Sequence, residues 1–423
     1  MLQLWFVANT LLWSLSVQIS GLTLGLNVVL MFFVGIAWIV RNRRISGYSA
    51  KVFFGLIAFM LVSYLVTITG LCTDKGLKIA VSSPVFVFLA VIGSEIGWRA
   101  STDDWLRLQK AAVWVLVLAF ASFVVEMLVP GSFGKPLRYE PVPAYSGVFS
   151  EQSHVAFSLF SSIAILLSAE SKQMRRIGML ALVGLFLFSR SSTLIGLTLA
   201  WGLYRLVIQG KHRWSAYYGL GLLLLLTVAA MMDYELFLAP TIDRVVNVAM
   251  LGDASNISSL VYLQGWQDAW ANLQRTNGLG LGFNMMGCTP LPDVPAREII
   301  ASGFDLELNN EDGSILFGKF VSEAGMIGIL VFLAIVWWWI RIEKEIRKCS
   351  LGKEGPAISI QTTLIFSFVA TSLIRSTGYF SGGALLLVVA VAAIARWHKH
   401  RAVKIPLRIR NDAQAGHGDA FKF

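Results

Sequence analysis

Residues 151–154, with the sequence EQSH, place a carboxylate and an imidazole just before a long apolar run. Carboxylates and imidazoles are the groups most often used as general bases, and a helix N-terminus favours anionic ligands. A structural alternative is that Ser150 or Ser153 caps the helix and Glu151 suits its positive end. That alternative explains Glu151 better than His154. The segment therefore indicates either a helix cap or an acid/base or sugar-binding site.

Two arginines interrupt apolar sequence in a similar way. Arg190 lies between two short apolar runs in SRSS, and Arg375 ends another run in LIRSTGYF. A charge at membrane depth is costly and usually functional. The structural alternatives are a snorkelling hairpin arginine for Arg190 and an interfacial anchor beside Tyr379 for Arg375. Both arginines are therefore candidate functional residues.

Two glycine-containing segments surround a third ionisable group. The run GLGLG at 278–282 has no strand or βαβ unit around it, so it is not a dinucleotide fingerprint. We expect a turn whose backbone approaches another segment closely. Glu323 lies inside a later apolar run and should face the protein interior, and Gly325 and Gly328 after it should permit close helix packing.

The elements that position these groups are membrane helices. The chain is 56% hydrophobic and 14% charged, with a mean hydropathy of +0.67, whereas soluble domains carry about 25% charged residues. Long apolar runs without strand-like alternation predict an all-α, polytopic membrane protein, with the first run retained rather than cleaved as a signal peptide. We expect about twelve spans, at 2–19, 22–40, 52–72, 79–98, 111–129, 154–170, 177–189, 193–209, 216–232, 314–340, 357–374 and 382–395.

The basic residues predict the topology. With the N-terminus inside, 25 of the 35 lysines and arginines fall on the inner side, so both termini should be cytoplasmic. This distribution accounts for the net charge of +10 without nucleic-acid binding, and the basic tail should contact anionic lipid. The outer side keeps Lys75, Lys78, Lys135, Arg138, Arg190, Arg244, Arg275, Arg297, Lys319 and Arg375.

The predicted organisation has four parts. Residues 1–232 hold nine spans and an outer loop at about 130–153, and 233–313 form a large outer loop. Residues 314–396 hold three more spans, and 397–423 form a basic cytoplasmic tail. The apolar spacing of Val261, Leu263, Trp266 and Trp270 predicts helices over the mouth of the bundle.

The cysteines predict neither a metal site nor a structural bond. Cys72, Cys288 and Cys349 lack metal-ligand spacing, and we expect no obligatory disulfide.

Several motifs together resemble one family. GVFSEQSHVA (147–156) resembles the entry segment of Wzy-type polysaccharide polymerases, and FSRSSTLIG (188–196) resembles a hairpin of the O-antigen ligase and polymerase superfamily. The segments GWQDAW (265–270), GLGLG and SEAGMIG (322–328) resemble that family's large periplasmic loop and the helix after it. The resemblance covers roughly residues 140–335, and its specificity comes from motif order and spacing.

The resemblance implies an enzyme of the bacterial inner membrane with its active site facing the periplasm. Such proteins transfer glycans from undecaprenyl diphosphate by a metal-independent, inverting reaction without a cofactor. A chain-length regulator protein is left open as a partner. Arginines would stabilise the diphosphate leaving group, and Glu151, preferred over His154, would act as base on the acceptor hydroxyl. The implied catalytic residues are Arg190, Glu151 and Arg375, and the implied substrate-binding residues are His154, Arg138, Arg244, Arg275, Arg297, Trp266, Asp312 and Ser314.

Two departures from the family pattern affect the expected activity. The ligase branch has a His-Asn pair where this chain has Ser314, close to Asp312, which favours a polymerase over an O-antigen ligase acting on a lipid A-core acceptor. The family also often has an arginine before the loop tryptophan, where this chain has Tyr262. A flippase is the alternative of another class, but the chain shows no matched broken helices in two halves.

Overall fold

The structure describes most of the chain. The computed structural model describes residues 1–13, 15–19, 22–69, 76–130, 132–134, 145–149, 151–189, 191–208, 257–288, 315–348, 354–375 and 378–415. The predicted ninth span, at 216–232, lies outside these residues.

The described residues are predominantly helical, as the apolar runs predict. A π-helical segment, Ala8–Leu12, extends the first helix, and another, Tyr204–Ile208, extends the eighth. The helices are α1 Leu2–Val7, α2 Leu26–Asn42, α3 Gly47–Thr69, α4 Gly76–Arg99, α5 Thr102–Leu128, α6 Gln152–Ser168, α7 Lys172–Ser189, α8 Ser192–Leu203, α9 Ile257–Arg275, α10 Leu316–Lys348, α11 Gly355–Ile374 and α12 Gly382–Ala415.

The predicted fold class, an all-α protein with membrane helices, agrees with the structure. Among the described residues, six helices are long and apolar enough to cross a membrane: Gly47–Thr67, Lys78–Arg99, Thr102–Leu128, Leu316–Arg347, Gly355–Ile374 and Gly382–Arg401. Four further apolar helices are shorter. Helix α12 continues past residue 397, where the basic tail is expected to begin, to Ala415.

The first predicted span, 2–19, is wrong beyond its first part. The helix ends at Leu12, and a hairpin follows in which β1, Ser16–Ile19, pairs antiparallel with β2, Leu22–Gly25. β-Branched residues and glycine recur through SVQISGLTLG, and both lower helix propensity relative to an uninterrupted apolar run. The hydropathy of this stretch therefore predicted apolar character correctly and secondary structure incorrectly.

Helix α6 lies at the centre of the bundle. Every residue from Val155 to Leu167 is buried, and α5, α7, α8 and α11 pack around it. Helices α4 and α12 also pack closely, since a Cβ on Gly97 would lie 2.1 Å from the Val389 carbonyl oxygen. An apolar helix that is buried on all sides holds its N-terminal residues at a fixed position, which matters for Glu151.

The polar contacts at the two ends of the bundle involve different residues. At one end, Arg99 pairs with Glu95 at 2.8 Å, and Arg396 Nη1 donates to the Trp98 carbonyl at 2.8 Å. At the other end, Arg375 of the α11 terminus meets Glu151 at the start of α6. Arg99 and Arg396, which are expected on the inner side, thus lie at the end of the bundle opposite to Arg375, which is expected on the outer side.

The expectation of no disulfide is wrong. Cys288, just beyond the glycine run, is disulfide-bonded, and its partner lies outside the described residues. Sequence spacing tests for metal motifs, whereas a disulfide requires only that two Cα atoms approach within about 7 Å in the fold.

Candidate functional site

Glu151 and Arg375, two of the three residues expected to be catalytic, lie side by side. Arg375 Nη2 is 3.6 Å from Glu151 Oε2. The Arg375 side chain is 13% exposed and that of Glu151 is 49% exposed. A largely buried guanidinium therefore faces a carboxylate that is still open to an incoming group.

The local structure of Glu151 leaves its carboxylate free of helix capping. Glu151 occupies the N-cap of α6, with φ −140° and ψ 160°, but its side chain makes no cap hydrogen bond. Ser153 does not cap the helix either: its hydroxyl donates to Glu151 Oε2 at 2.9 Å. The capping interpretation is thus wrong for Ser153, while Ser150 lies outside the described residues. The Glu151 carboxylate is directed toward Arg375 and Ser153.

The end of α11 positions Arg375. Its backbone adopts an extended conformation, with φ −169° and ψ 121°, while its N–H still donates to the Thr371 carbonyl at 2.9 Å. Burial lowers the pKa of Arg375, and the charge and hydrogen bond of Glu151 act in the opposite direction. A guanidinium stays protonated in proteins, so the site keeps a positive charge.

His154, a predicted substrate-binding residue, lies one helical turn from Glu151 in an aromatic setting. Its ring centroid is 4.9 Å from that of Trp13 and 5.3 Å from that of Phe157. The Trp13 indole N–H donates to the Ser158 hydroxyl. Trp13 follows the first helix and was not singled out from the sequence, because one aromatic residue at the end of an apolar run carries no specific signal.

A narrow cleft lined by both hydroxyl and apolar side chains lies about one turn further into the bundle. Trp13, Ser158 and Thr371 line it, together with Ser367 and Ser381. The hydroxyls of Ser367 and Ser381 are buried without a hydrogen-bond partner among the described residues. The cleft encloses about 20 Å³, which is room for about one water molecule. Hydroxyl groups thus continue from the Glu151–Arg375 pair toward the middle of the bundle.

Trp266, a predicted substrate-binding residue, is linked to the end of α11 through Tyr262, whose ring centroid lies 6.4 Å from that of Trp266. It packs on Phe317 of α10 at 5.6 Å between ring centroids. Tyr262 of α9 donates its hydroxyl to the Leu373 carbonyl at 3.2 Å. That hydrogen bond joins α9 to α11 at a position two residues before Arg375.

The remaining predicted site residues are not brought to the pair in the described structure. Arg275 is exposed at the end of α9, about 13–14 Å along the helix from Trp266, and no described contact joins it to Glu151 or Arg375. The others lie outside the described residues: Arg190, Arg138, Arg244, Arg297, Asp312 and Ser314.

A helix, α9, lies within residues 233–313, but the apolar face predicted for it is partly wrong. Trp270 is 62% exposed. Gln264, Asp268 and Asn272 are buried instead, at four-residue spacing, and Asn272 Nδ2 donates to the Ser322 hydroxyl of α10 at 3.4 Å. The apolar pattern could not reveal these three residues, because the packed stripe of α9 mixes them with the buried apolar residues Leu260, Val261 and Ala269.

A buried ionic cluster lies close to the pair. Glu323 is 2% exposed, as its position inside an apolar run predicted, and it faces Lys319 Nζ at 3.9 Å. Its carboxylate accepts the backbone N–H groups of Asn284 and Met286 at 2.7 and 2.9 Å. Tyr379 also hydrogen-bonds this carboxylate, and burial together with the Glu323 charge raises the pKa of Tyr379 well above its usual value. Tyr379 therefore stays protonated and donates.

The glycine run approaches α10 as predicted. Gly278, Gly280 and Gly282 all have positive φ angles, and α10 is broken at Gly325, with φ 58°. The Met326 N–H donates to the Gly278 carbonyl at 2.8 Å. A Cβ on Gly280 would lie 2.4 Å from the Glu323 carbonyl oxygen, so only glycine fits this contact.

Chemically, the arrangement can bind an anion and accept a proton at one place. The guanidinium of Arg375 supplies positive charge, the half-exposed carboxylate of Glu151 can act as a base, and His154 lies beside them. Tyr379 lies four residues after Arg375 and connects the site to the Glu323 cluster. Within the described ranges, histidine, cysteine and acidic residues form no group of three that could hold a metal ion.

Comparison with known proteins adds no relative. No protein-family model and no curated protein matches the chain.

Proposed function

We propose that this protein is a polysaccharide polymerase of the bacterial inner membrane. It transfers a growing glycan from undecaprenyl diphosphate to the non-reducing end of another lipid-linked repeat unit. The proposal includes twelve spans, cytoplasmic termini and a reaction at the periplasmic face. It draws on the motif resemblance, on the distribution of basic residues and on the site geometry.

One observation carries the proposal: the contact between Glu151 and Arg375. These residues were selected separately, one as base and one as phosphate ligand, and they lie 3.6 Å apart. A glycosyl transfer from a diphosphate needs both groups within reach of one anomeric carbon. The contact supports this reaction better than it supports a cap and an unrelated interfacial anchor, because neither structural role requires the two side chains to meet.

The proposed reaction is a single inverting displacement. The acceptor hydroxyl oxygen attacks the anomeric carbon, the bond from that carbon to the phosphate oxygen breaks, and Glu151 takes the hydroxyl proton. Arg375, with Arg190 as the second predicted arginine, stabilises the charge that develops on the departing diphosphate. His154 and Trp266 are proposed to contact sugar.

Lys319, Glu323 and Tyr379 have a positioning role in this proposal. The Lys319 ammonium lies 5.6 Å from the Tyr379 ring centroid, and Phe283 stacks on the same ring at 4.7 Å. These contacts fix Tyr379, which lies four residues after Arg375 in the chain. They hold the guanidinium without touching the reacting atoms.

The test is reconstitution of the purified protein in proteoliposomes with a fluorescent lipid-linked repeat unit. A ladder of products that differ by one repeat is the expected result. A single transfer to a different lipid acceptor would identify a ligase instead. Movement of the lipid-linked unit across the bilayer without any covalent product would identify a flippase and refute the proposal.

A further inference from the structure

The disulfide at Cys288 has a partner that the fold identifies. The chain contains two other cysteines, Cys72 and Cys349, and both lie outside the described residues. The structure describes helices next to both cysteines, so the distance from Cys288 that the chain would have to span can be judged for each cysteine.

The helices on both sides of Cys72 contact the segment that ends at Cys288. The Thr67 hydroxyl, near the end of α3, donates to the Leu281 carbonyl at 3.3 Å. Ile79, near the start of α4, belongs to a small apolar cluster with Leu281 and Met285, and Cys288 packs against this cluster. Cys72 lies five residues after one contact and seven before the other, and a chain covers about 3.3–3.6 Å per residue when extended. Cys72 can therefore reach Cys288.

Cys349 lies at the far end of α10. The start of this helix is held beside the glycine run, because Met326 donates to Gly278. From Met326 to Lys348 the helix rises roughly 33 Å, and one further residue shifts the chain by about 4 Å. A disulfide needs Cα atoms within about 7 Å. Cys349 is excluded by several times that distance.

We infer that Cys288 is bonded to Cys72, and that this end of the bundle faces an oxidising compartment. Two thiols lose two protons and two electrons, and a dithiol–disulfide oxidant of that compartment accepts them as its own disulfide becomes a dithiol. Stable disulfides of this kind are formed outside the cytosol. The bond joins the α3–α4 connection to the segment after α9.

The inference bears on the side of the membrane on which the candidate site lies. Phe283, five residues before Cys288, stacks on Tyr379 at 4.7 Å, and Tyr379 lies four residues after Arg375. The disulfide and the Glu151–Arg375 pair thus lie at the same end of the bundle. This orientation rests on thiol chemistry, so it is independent of the basic-residue count and of the proposed function.

The experiment counts reducible thiols in the full-length protein. Membranes are denatured in N-ethylmaleimide to block free thiols, reduced, and labelled with a maleimide that carries a mass tag. Two tags are expected on wild type and also on Cys349→Ser, which is the matched control. No tag is expected on Cys72→Ser or Cys288→Ser, because each leaves its former partner free to be blocked.

Other tag counts would overturn the assignment. Two tags on Cys72→Ser, or none on Cys349→Ser, would show that Cys349 is the partner, and no tags on wild type would show that no bond forms. If a serine variant does not accumulate, unreduced wild-type protein can be digested and analysed by mass spectrometry. A linked peptide pair that contains Cys72 and Cys288 is expected there, and a pair with Cys349 would refute the inference.

The orientation is tested with the Cys349→Ser variant in spheroplasts of a bacterial expression host. After treatment with a membrane-impermeant reductant and an impermeant maleimide, labelling is expected, since Cys288 is partly exposed. Label that appears only after the membrane is permeabilised would place this end in the cytoplasm and overturn the orientation.

Discussion

Exchanging the charges of Glu151 and Arg375 tests whether the two residues act in the reaction or only hold two helices together. If the pair is only a clamp between α6 and α11, the double variant Glu151→Arg with Arg375→Glu restores it. If the residues act as proposed, the exchange places a carboxylate where the diphosphate should bind, and activity stays lost. The single variants Arg375→Ala, Arg375→Lys and Glu151→Gln complete the set.

The expected magnitudes differ enough to decide between these roles. Two unit charges 3.6 Å apart interact by about 1 kcal/mol in water, and Glu151 is half exposed, so screening keeps the pair within about 0–1 kcal/mol. Loss of the clamp therefore changes activity by no more than about fivefold. Removing a transition-state donor costs on the order of 10²-fold or more, and removing a general base costs about as much. Arg375→Lys keeps the positive charge but loses the paired N–H donors of the guanidinium, so we expect most of the activity to be lost.

The assay is the intensity of the polymer ladder at matched protein level, together with thermal stability in detergent. The matched control is Arg341→Ala, which removes an exposed arginine paired with Glu345 at 3.2 Å at the other end of the bundle; its ladder should match wild type. A normal ladder from the charge-exchanged variant would refute the reasoning. So would losses in Arg375→Ala that stay within fivefold and follow the folded fraction.

The remaining predictions concern the rest of the site. Gly280→Ala should prevent folding, because residue 280 has a φ of +85° and the new Cβ would lie 2.4 Å from a backbone carbonyl oxygen. The control is Gly55→Ala, whose Cβ would meet nothing within 4 Å. The measurement is the folded yield of each variant after size-exclusion chromatography. Tyr379→Phe removes a hydroxyl that hydrogen-bonds a buried carboxylate, and should cost about 1.5–3 kcal/mol, more than Tyr262→Phe, in thermal melts. Arg190→Lys should lose most polymer and Arg190→Ala about 10²-fold or more; near-normal laddering by the lysine variant would leave the α11 arginine as the stronger candidate. Activity should persist in EDTA, and recovery with magnesium after loss would contradict a metal-free reaction.

The sequence predicted those properties that depend on a single segment of the chain. Composition and run length indicated membrane helices, and the cost of burying an isolated charge placed Glu323 inside the protein. The glycines at 278–282 predicted close backbone approach, because only glycine tolerates positive φ so readily. The helix in the large loop also followed from periodicity, although Trp270 turned out to be exposed.

Other features depend on which helices become neighbours. The contact between Glu151 and Arg375 joins residues from opposite halves of the chain, and the Cys288 disulfide likewise depends on proximity that no spacing encodes. Asn272 of α9 can be buried because α10 offers it a polar partner, Ser322. Local periodicity in a sequence indicates which face of each segment is buried and which is exposed. The identity of a contact partner, in contrast, depends on packing between segments that are distant in the chain. For this protein, the amino-acid sequence alone determined the membrane helices and the candidate residues, and the tertiary structure decided which of those residues meet.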